Sequence, residues 1–145
     1  MTGAGGPIDA FIGERTEIDH LLTADFAEIV NGKLYVMGAG WDTITPPEYP
    51  TTIRLGIVVG IRVPYRDAGT KHHVTITLRN GPTELLRMEA DVETNRRPGG
   101  RVDATLVPLA VNHIIPLAEP GALELTADVD GRSSRRIVIR AERRT

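Results

Sequence analysis

The sequence predicts an all-β protein, a single antiparallel β-sandwich of about eight strands. Apolar residues recur with a period of two along most of the 145-residue chain, which is typical of half-buried strands. Asn-Gly and Asp-Gly dipeptides stand between alternating runs, as they do in tight hairpins. No segment carries three turns of amphipathic helical spacing. An Ig-like and a jelly-roll sandwich both fit this pattern, and a closed barrel is the alternative.

The first hairpin has the most specific local signal. Asn31-Gly32 lies between the apolar runs at residues 26–30 and 34–37, and Asn-Gly supplies the positive φ angles of a type I′ turn. The second strand continues to Trp41 through glycines that indicate a bulge or a close approach. Residues 1–16 are rich in glycine and predict a flexible tail, so the sandwich domain is expected to span residues 17–145.

The clearest strand is predicted at residues 53–63. Its odd-numbered positions are all aliphatic, and its even-numbered positions are Arg54, Gly56, Val58, Gly60 and Arg62. We expect the odd positions to face the core and the even positions to face solvent. The solvent face would then be flat and partly apolar between its two arginines.

The later strands are predicted from the same alternation. They fall at residues 72–78, 85–92, 102–115, 123–129 and 137–139, with a break at residues 95–100. Residues 102–115 hold one long strand or two short ones, interrupted at Pro108, which suits an edge strand or a crossing between sheets. Asp130-Gly131 predicts a second type I′ turn before the last strand.

The composition excludes several classes of function. The chain has no Cys, so neither disulfides nor thiolate chemistry are expected. Its net charge of −2 gives no general attraction to nucleic acid. No apolar run approaches the roughly 20 residues that a membrane helix needs, and the N-terminus does not resemble a secretory signal. We therefore expect a cytoplasmic protein that binds neither membrane nor nucleic acid.

Two segments resemble a bacterial family of short β-sandwich proteins of unknown function. The first is LLTADFAEIVNGKLYVMGAGWD at residues 21–42, and the second is PGALELTADVDG at residues 120–131. The family's closing hairpin usually carries an aromatic residue after Pro-Gly, where this chain has Ala122. The resemblance covers most of the chain from about residue 20 and implies the fold and a bacterial source. It implies no activity.

Two polar motifs invite a metal interpretation. His72 and His73 are adjacent on a strand and point to opposite faces, so both rings cannot bind one ion without a bulge. Asp128 and Asp130-Gly131 resemble part of a calcium loop but lack the further oxygen ligands of an EF-hand. A hairpin turn is the better interpretation, and we expect no metal site and no cofactor.

The sequence also lacks a convincing catalytic set. Ser133-Ser134 has no nucleophile-elbow motif around it and no ordered His and Asp partners. Asp25 and Glu28 fall on opposite faces of a regular strand, so they do not form an acid–base pair. We therefore predict no catalytic residues and do not expect an enzyme.

Binding to another protein, or to a second copy, is the function that the sequence favours. The candidate interaction surface comprises Arg54, Val58, Arg62, Trp41, Arg136 and Arg140. The alternative is a small-molecule or carbohydrate-binding domain that uses Trp41, Tyr35 or Tyr65 as a stacking platform. The arginines near the C-terminus are also explained without a ligand, as charges that protect an edge strand from pairing with another sheet.

Overall fold

The computed structural model describes residues 15–95 and 104–145, and these form nine strands in two facing sheets. The strands are β1 (Glu17–Val30), β2 (Lys33–Ala39), β3 (Thr43–Ile44), β4 (Thr51–Pro64), β5 (His72–Asn80), β6 (Thr83–Val92), β7 (Ala104–Leu117), β8 (Gly121–Val129) and β9 (Ser133–Ala141). A 3₁₀ turn, Tyr65–Asp67, connects β4 to β5 and is too short to cross a membrane; no helix in the described residues could do so. The predicted β-sandwich is confirmed.

The two sheets have the strand orders β2-β1-β4-β7 and β3-β9-β8-β5-β6. Hairpins join β1 to β2, β5 to β6 and β8 to β9, and the other connections pass from one sheet to the other. All pairs are antiparallel except β3 with β9, which is parallel. The ninth strand is this two-residue β3, which is too short for an alternation to reveal it in the sequence.

Both turns predicted from dipeptides have the backbone that they require. Asn31 and Gly32 have φ angles of 50° and 74°, and Asp130 and Gly131 have 56° and 66°. Positive φ at both central positions defines the type I′ turn, whose twist matches that of the flanking strands. The two hairpins are therefore fixed by local chemistry.

The core lies between the sheets and follows the predicted alternation. Odd-numbered residues of β4 from Leu55 to Val63 face inward with even-numbered residues of β5 and odd-numbered residues of β8. The largest fully buried core side chains include Ile18, Leu55, Ile57, Ile61, Leu78, Ile115, Leu117, Leu123, Leu125 and Ile139.

The prediction that the even-numbered face of β4 is solvated is wrong at its centre. Val58 is 0 % exposed, and Gly56 and Gly60 are buried as well. β4 has a paired neighbour on each side, so Val58 lies between Leu22 of β1 and Ala110 of β7. A Cβ at Gly60 would collide with the imidazole of His20, which lies across the strand. Only the two ends of this face, at Arg54 and Arg62, reach solvent.

The edges of the domain agree in part with the sequence. β7 is one continuous strand at the edge of its sheet, where Pro108 opposes Gly60. β1 begins at Glu17, and Thr16, which falls in the predicted tail, is only 4 % exposed. The rest of the predicted tail, residues 1–14, lies outside the described residues, as does most of the predicted loop at residues 95–100.

Candidate functional site

The outer faces of the two sheets differ in chemistry. Register pairs share a face, so the outward positions follow from the pairing of each strand. The five-stranded sheet presents mostly polar side chains outward, among them Thr75, Thr77, Glu124, Thr126 and Arg136. Such a face is ordinary for a solvated antiparallel sheet.

The outer face of the four-stranded sheet is apolar. Eleven large hydrophobic side chains are exposed among the described residues, and seven of them lie on this face. They come from three of its strands, with Met37 66 % exposed and Ile114 60 % exposed. The seven are Leu22, Phe26, Val30, Tyr35, Met37, Leu106 and Ile114, and the other four are Ile29, Tyr65, Met88 and Val138.

A groove of about 380 Å³ opens on this face where β1 leaves β4. The β1–β4 ladder ends at Gly56, and from there the side chain of Asn112 takes the place of the missing strand partner. Its Oδ1 accepts the Ala27 N–H at 3.0 Å, and its Nδ2 donates to the Ala27 carbonyl at 2.6 Å. The residues that line the groove are Phe26, Arg54, Asn112, His113 and Ile114.

The predicted interaction residues divide between the two sheets. Arg54 lines the groove on the apolar face, and Val58 is buried on the same face between Leu22 and Ala110. Arg62 is on the same face but forms an ion pair with Glu17, with Nε 3.3 Å from Oε1. The other three residues lie elsewhere: Trp41 packs against the core, and Arg136 and Arg140 are on the polar outer face of β9.

The structure does not bring the three proposed stacking aromatics together. Trp41 is half-buried against the core, and its indole N–H has no hydrogen-bond partner among the described residues. Tyr35 pairs with Glu28 near the end of β1, whereas Tyr65 follows β4 beyond the start of β1. More than ten residues of strand, or more than about 33 Å, separate these two residues along the sheet.

A polar pocket of about 290 Å³ lies at one end of the sandwich. Three segments distant in sequence form it: the entry to β1, the loop before β5, and the β8–β9 turn. Its lining residues are Arg15, Thr16, Asp67, Thr70, Lys71, His72, Asp130 and Arg132. In the sequence, His72 and Asp130 were considered for metal binding only in separate motifs, and a metal site was not predicted at either. Within the part of the chain that the structure describes, no three His or carboxylate side chains converge as metal ligands.

His72 is the centre of this pocket's hydrogen bonding. It is 6 % exposed, its Nδ1 is 2.8 Å from Asp130 Oδ2, and its Nε2 is 3.1 Å from the Asp67 carbonyl oxygen. Both partners are acceptors, so both ring nitrogens donate and the ring is satisfied as a cation. Burial would lower the pKa of His72, but the hydrogen bonds to Asp130 and Asp67 outweigh it and raise the pKa. The same pair lowers the pKa of Asp130 against the effect of its burial.

The order Thr70, His72, Asp130 resembles the arrangement of a catalytic triad. Thr70 Oγ1 is 3.2 Å from His72 Nε2. A nucleophile needs a neutral His to take its proton, but here the Thr70 hydroxyl donates to the Asp67 carbonyl at 2.8 Å. His72 Nε2 points its own proton towards the same carbonyl. The hydrogen bonds of Thr70, His72 and Asp130 therefore connect the loop before β5 to the β8–β9 turn. The charged ring of His72 lines the pocket.

The other histidine of the pair lies on the opposite face of β5, as predicted. His73 is exposed, with Nδ1 2.9 Å from Asp91 Oδ1 and Nε2 2.8 Å from Glu89 Oε1. These bonds, first to Asp91 and then to Glu89, raise the pKa of His73. The two rings therefore belong to separate clusters.

Ser133 and the carboxylates considered for catalysis have structural surroundings. The Ser133 hydroxyl accepts the backbone N–H of Ile18 at 3.0 Å and so connects β9 to β1 of the other sheet. Asp128 Oδ2 accepts the Gly131 N–H at 2.8 Å, which closes the hairpin turn. Asp25 and Glu28 are both exposed on β1, three residues apart.

Sequence reasoning missed two features of these sites. The apolar outer face left one signal in the sequence, because Leu22, Phe26 and Val30 of β1 are apolar on the face opposite to Leu21 and Ala27. The pocket had no such signal, because its cations Arg15, Lys71 and Arg132 come from three separate segments.

Comparison with known proteins adds a family and no activity. A search of curated proteins finds no match to this chain. A family model described as a family of unknown function, DUF6941, matches residues 19–142, which include all nine strands but the first two residues of β1. This agrees with the resemblance found at residues 21–42 and 120–131, and the chain therefore belongs to this family of unknown function.

Proposed function

We propose that this protein is a non-catalytic β-sandwich module that self-associates through the outer face of its four-stranded sheet. The observation that carries the proposal is the concentration of seven of eleven exposed large hydrophobic side chains on that face. Large contiguous apolar patches on a domain surface mark interaction sites. The polar face of the other sheet provides the contrast within the same chain.

A second copy is the occupant that best fits this surface. A pleated apolar sheet packs well against another pleated apolar sheet, about 10 Å away and with aligned strands. The same chain supplies such a face, and a two-fold axis lets each copy use the identical patch. Four strands and about eight residues of length give roughly 500 Å² per copy, or about 1,000 Å² in total, which is near the lower limit for a specific interface.

Charge on the face also suits a two-fold contact. Arg54 and Glu28 both point outward on the four-stranded sheet and are exposed. Neither lies within salt-bridge distance of an opposite charge among the described residues. In a symmetric dimer, Arg54 of each copy can approach Glu28 of the other, so the ion pair forms at two places. Rim pairs of this kind fix orientation more than they add affinity.

Light scattering coupled to size-exclusion chromatography tests the proposal. We expect a dimer at about 100 μM wild-type protein, as for a micromolar dissociation constant. Ile114→Glu should give a monomer because it places a charge on the apolar face, at a side chain that is 60 % exposed beside the groove. Val138→Glu is the matched control, since Val138 is 44 % exposed on the polar face of the other sheet. A monomeric wild type, or an Ile114→Glu dimer, would refute self-association through this face.

The cellular setting forms part of the proposal. A cytoplasmic location in a bacterium is supported by the cysteine-free composition and by the resemblance of residues 21–42. Membrane and nucleic-acid partners are not proposed. Fractionation of the source organism with antibodies to the chain would test the location directly.

A further inference from the structure

The pocket at the end of the sandwich has an excess of positive charge. Arg15, Lys71 and Arg132 line it from three different segments, together with the protonated ring of His72. Asp67 and Asp130 are the two carboxylates in the lining. Four cationic groups against two carboxylates leave a net charge of +2.

Both carboxylates are already committed to other partners. Asp67 Oδ2 accepts the backbone N–H and the hydroxyl of Thr16, each at 2.9 Å. Asp130 Oδ2 faces His72 Nδ1, and its Oδ1 accepts the backbone N–H of His73 at 2.8 Å. The oxygens of both carboxylates therefore accept hydrogen bonds from the protein itself, and these bonds hold the loops together.

The three long cations have no such commitment. Among residues 15–95 and 104–145, no carboxylate lies within salt-bridge distance of Arg15, Lys71 or Arg132. Arg132 is close enough to Asp130 to help lower the pKa of that carboxyl. Cationic donors that converge from separate segments present several directions of N–H bonding to one small anion.

We propose that this pocket binds a phosphate group, either as inorganic phosphate or as the phosphate of a small monoester. A cavity of about 290 Å³ is at the small end of the range for ligand sites, which suits a compact ligand. Arg132 and Arg15 would each donate two N–H groups to phosphate oxygens, and Lys71 would supply a point charge. His72 supplies its positive charge from the buried wall.

A titration followed by amide NMR and calorimetry tests the site at pH 6 and low ionic strength. Inorganic phosphate should cause saturable shifts confined to residues 15–16, 67–72 and 130–132, with binding complete by about 10 mM. Glycerol phosphate is the second probe. Binding of either supports the proposal, and the tighter one identifies whether a free phosphate or a monoester is preferred. Chloride at matched ionic strength should cause no such localised shifts.

Two variants make the test specific. Arg132→Gln and Lys71→Gln should each weaken phosphate binding about tenfold, because each removes a charge-assisted hydrogen bond. Arg140→Gln is the matched control, an exposed arginine on β9 at the other end of the strand. The proposal fails if no saturable shifts appear, if they spread over exposed arginines generally, or if both pocket variants bind as the wild type does. This outcome does not depend on the oligomeric state.

Discussion

Asp130→Asn should separate the charge of the His72–Asp130 pair from the shape of the turn. Asn tolerates the positive φ of 56° at this position and is favoured in type I′ turns, so the hairpin is retained. Asn has no negative charge and only one acceptor oxygen, so it cannot accept from both His72 Nδ1 and the backbone N–H of His73. We therefore expect His72, which is 6 % exposed, to become neutral in the folded variant.

Asp130→Asn should destabilise the fold because it removes a buried charge-assisted hydrogen bond between His72 and Asp130. Such bonds contribute about 1.5–3 kcal/mol, so Asp130→Asn should lower the free energy of unfolding by about 2 kcal/mol at pH 5.5. The raised pKa of His72 gives stability that is fully present below its unfolded pKa of 6.5 and is lost as pH rises through the folded pKa. The lowered pKa of Asp130 gives stability that is present above its unfolded pKa of 3.8 and is lost as pH falls through the folded pKa.

The difference between wild type and variant should therefore be greatest from about pH 4.5 to pH 6 and smaller at pH 9. Arg132, Lys71 and Arg15 also face this pocket, and as cations they oppose the charging of His72 at every pH in this range. Urea denaturation followed by Trp41 fluorescence, at pH 5.5 and pH 9, measures the difference without adding salt. Equal losses of stability at the two pH values would refute the charged state assigned to His72.

His73→Gln is the control for the second histidine whose pKa is raised. His73 is exposed, and its partners Asp91 and Glu89 lie on the outer face of the five-stranded sheet. This variant should remove its own share of the pH dependence and leave the pH-dependent effect of Asp130→Asn unchanged.

Two further substitutions test how β1 leaves β4. Gly56→Ala should destabilise the fold by about 1–3 kcal/mol, because a Cβ there would stand 3.0 Å from the Ala24 carbonyl oxygen, a backbone atom that cannot rotate away. Urea denaturation measures the change. A loss of less than about 0.5 kcal/mol would contradict the close approach. Asn112→Ala should cost about 3 kcal/mol, because it leaves the buried N–H and C=O of Ala27 without their partners. Hydrogen exchange at the Ala27 amide should then accelerate, and an unchanged protection factor would show that another acceptor replaces the amide.

The sequence predicted those features that short segments determine. Asn31-Gly32 and Asp130-Gly131 specify their turns through residues that accept positive φ, so both hairpins were placed correctly. The inward alternation of β5 and β8 was also correct, because one face of each strand is polar. The same rule failed at Val58, since alternation with glycine cannot tell an open face from one covered by neighbouring strands. Gly56 and Gly60 carried that information, as positions where another chain segment or ring approaches closely.

Long-range pairing explains what the sequence could not reveal about the sites. His72 and Asp130 are 58 positions apart and meet only because β5 and β8 are neighbours in the sheet. Each was considered in the sequence only within its own motif, because the sequence gives no sign that one faces the other. Asn112 and Ala27, 85 positions apart, are a second case. The sequence alone gives no sign that the side-chain amide of Asn112 replaces a neighbouring strand as the hydrogen-bond partner of Ala27.

The contrast between the two sheets is the strongest argument that the apolar face has a partner. Folding requires only the inner faces to be apolar, and the five-stranded sheet shows that this chain can solvate an outer face with Thr, Glu and Arg. Met37 and Ile114 are more than half exposed in the isolated domain, so they contribute little to its stability, and exposed apolar patches favour association. Polar replacements there should therefore be neutral for the free energy of unfolding while abolishing assembly. A destabilised but still dimeric Ile114→Glu variant would mean that the face serves the fold instead.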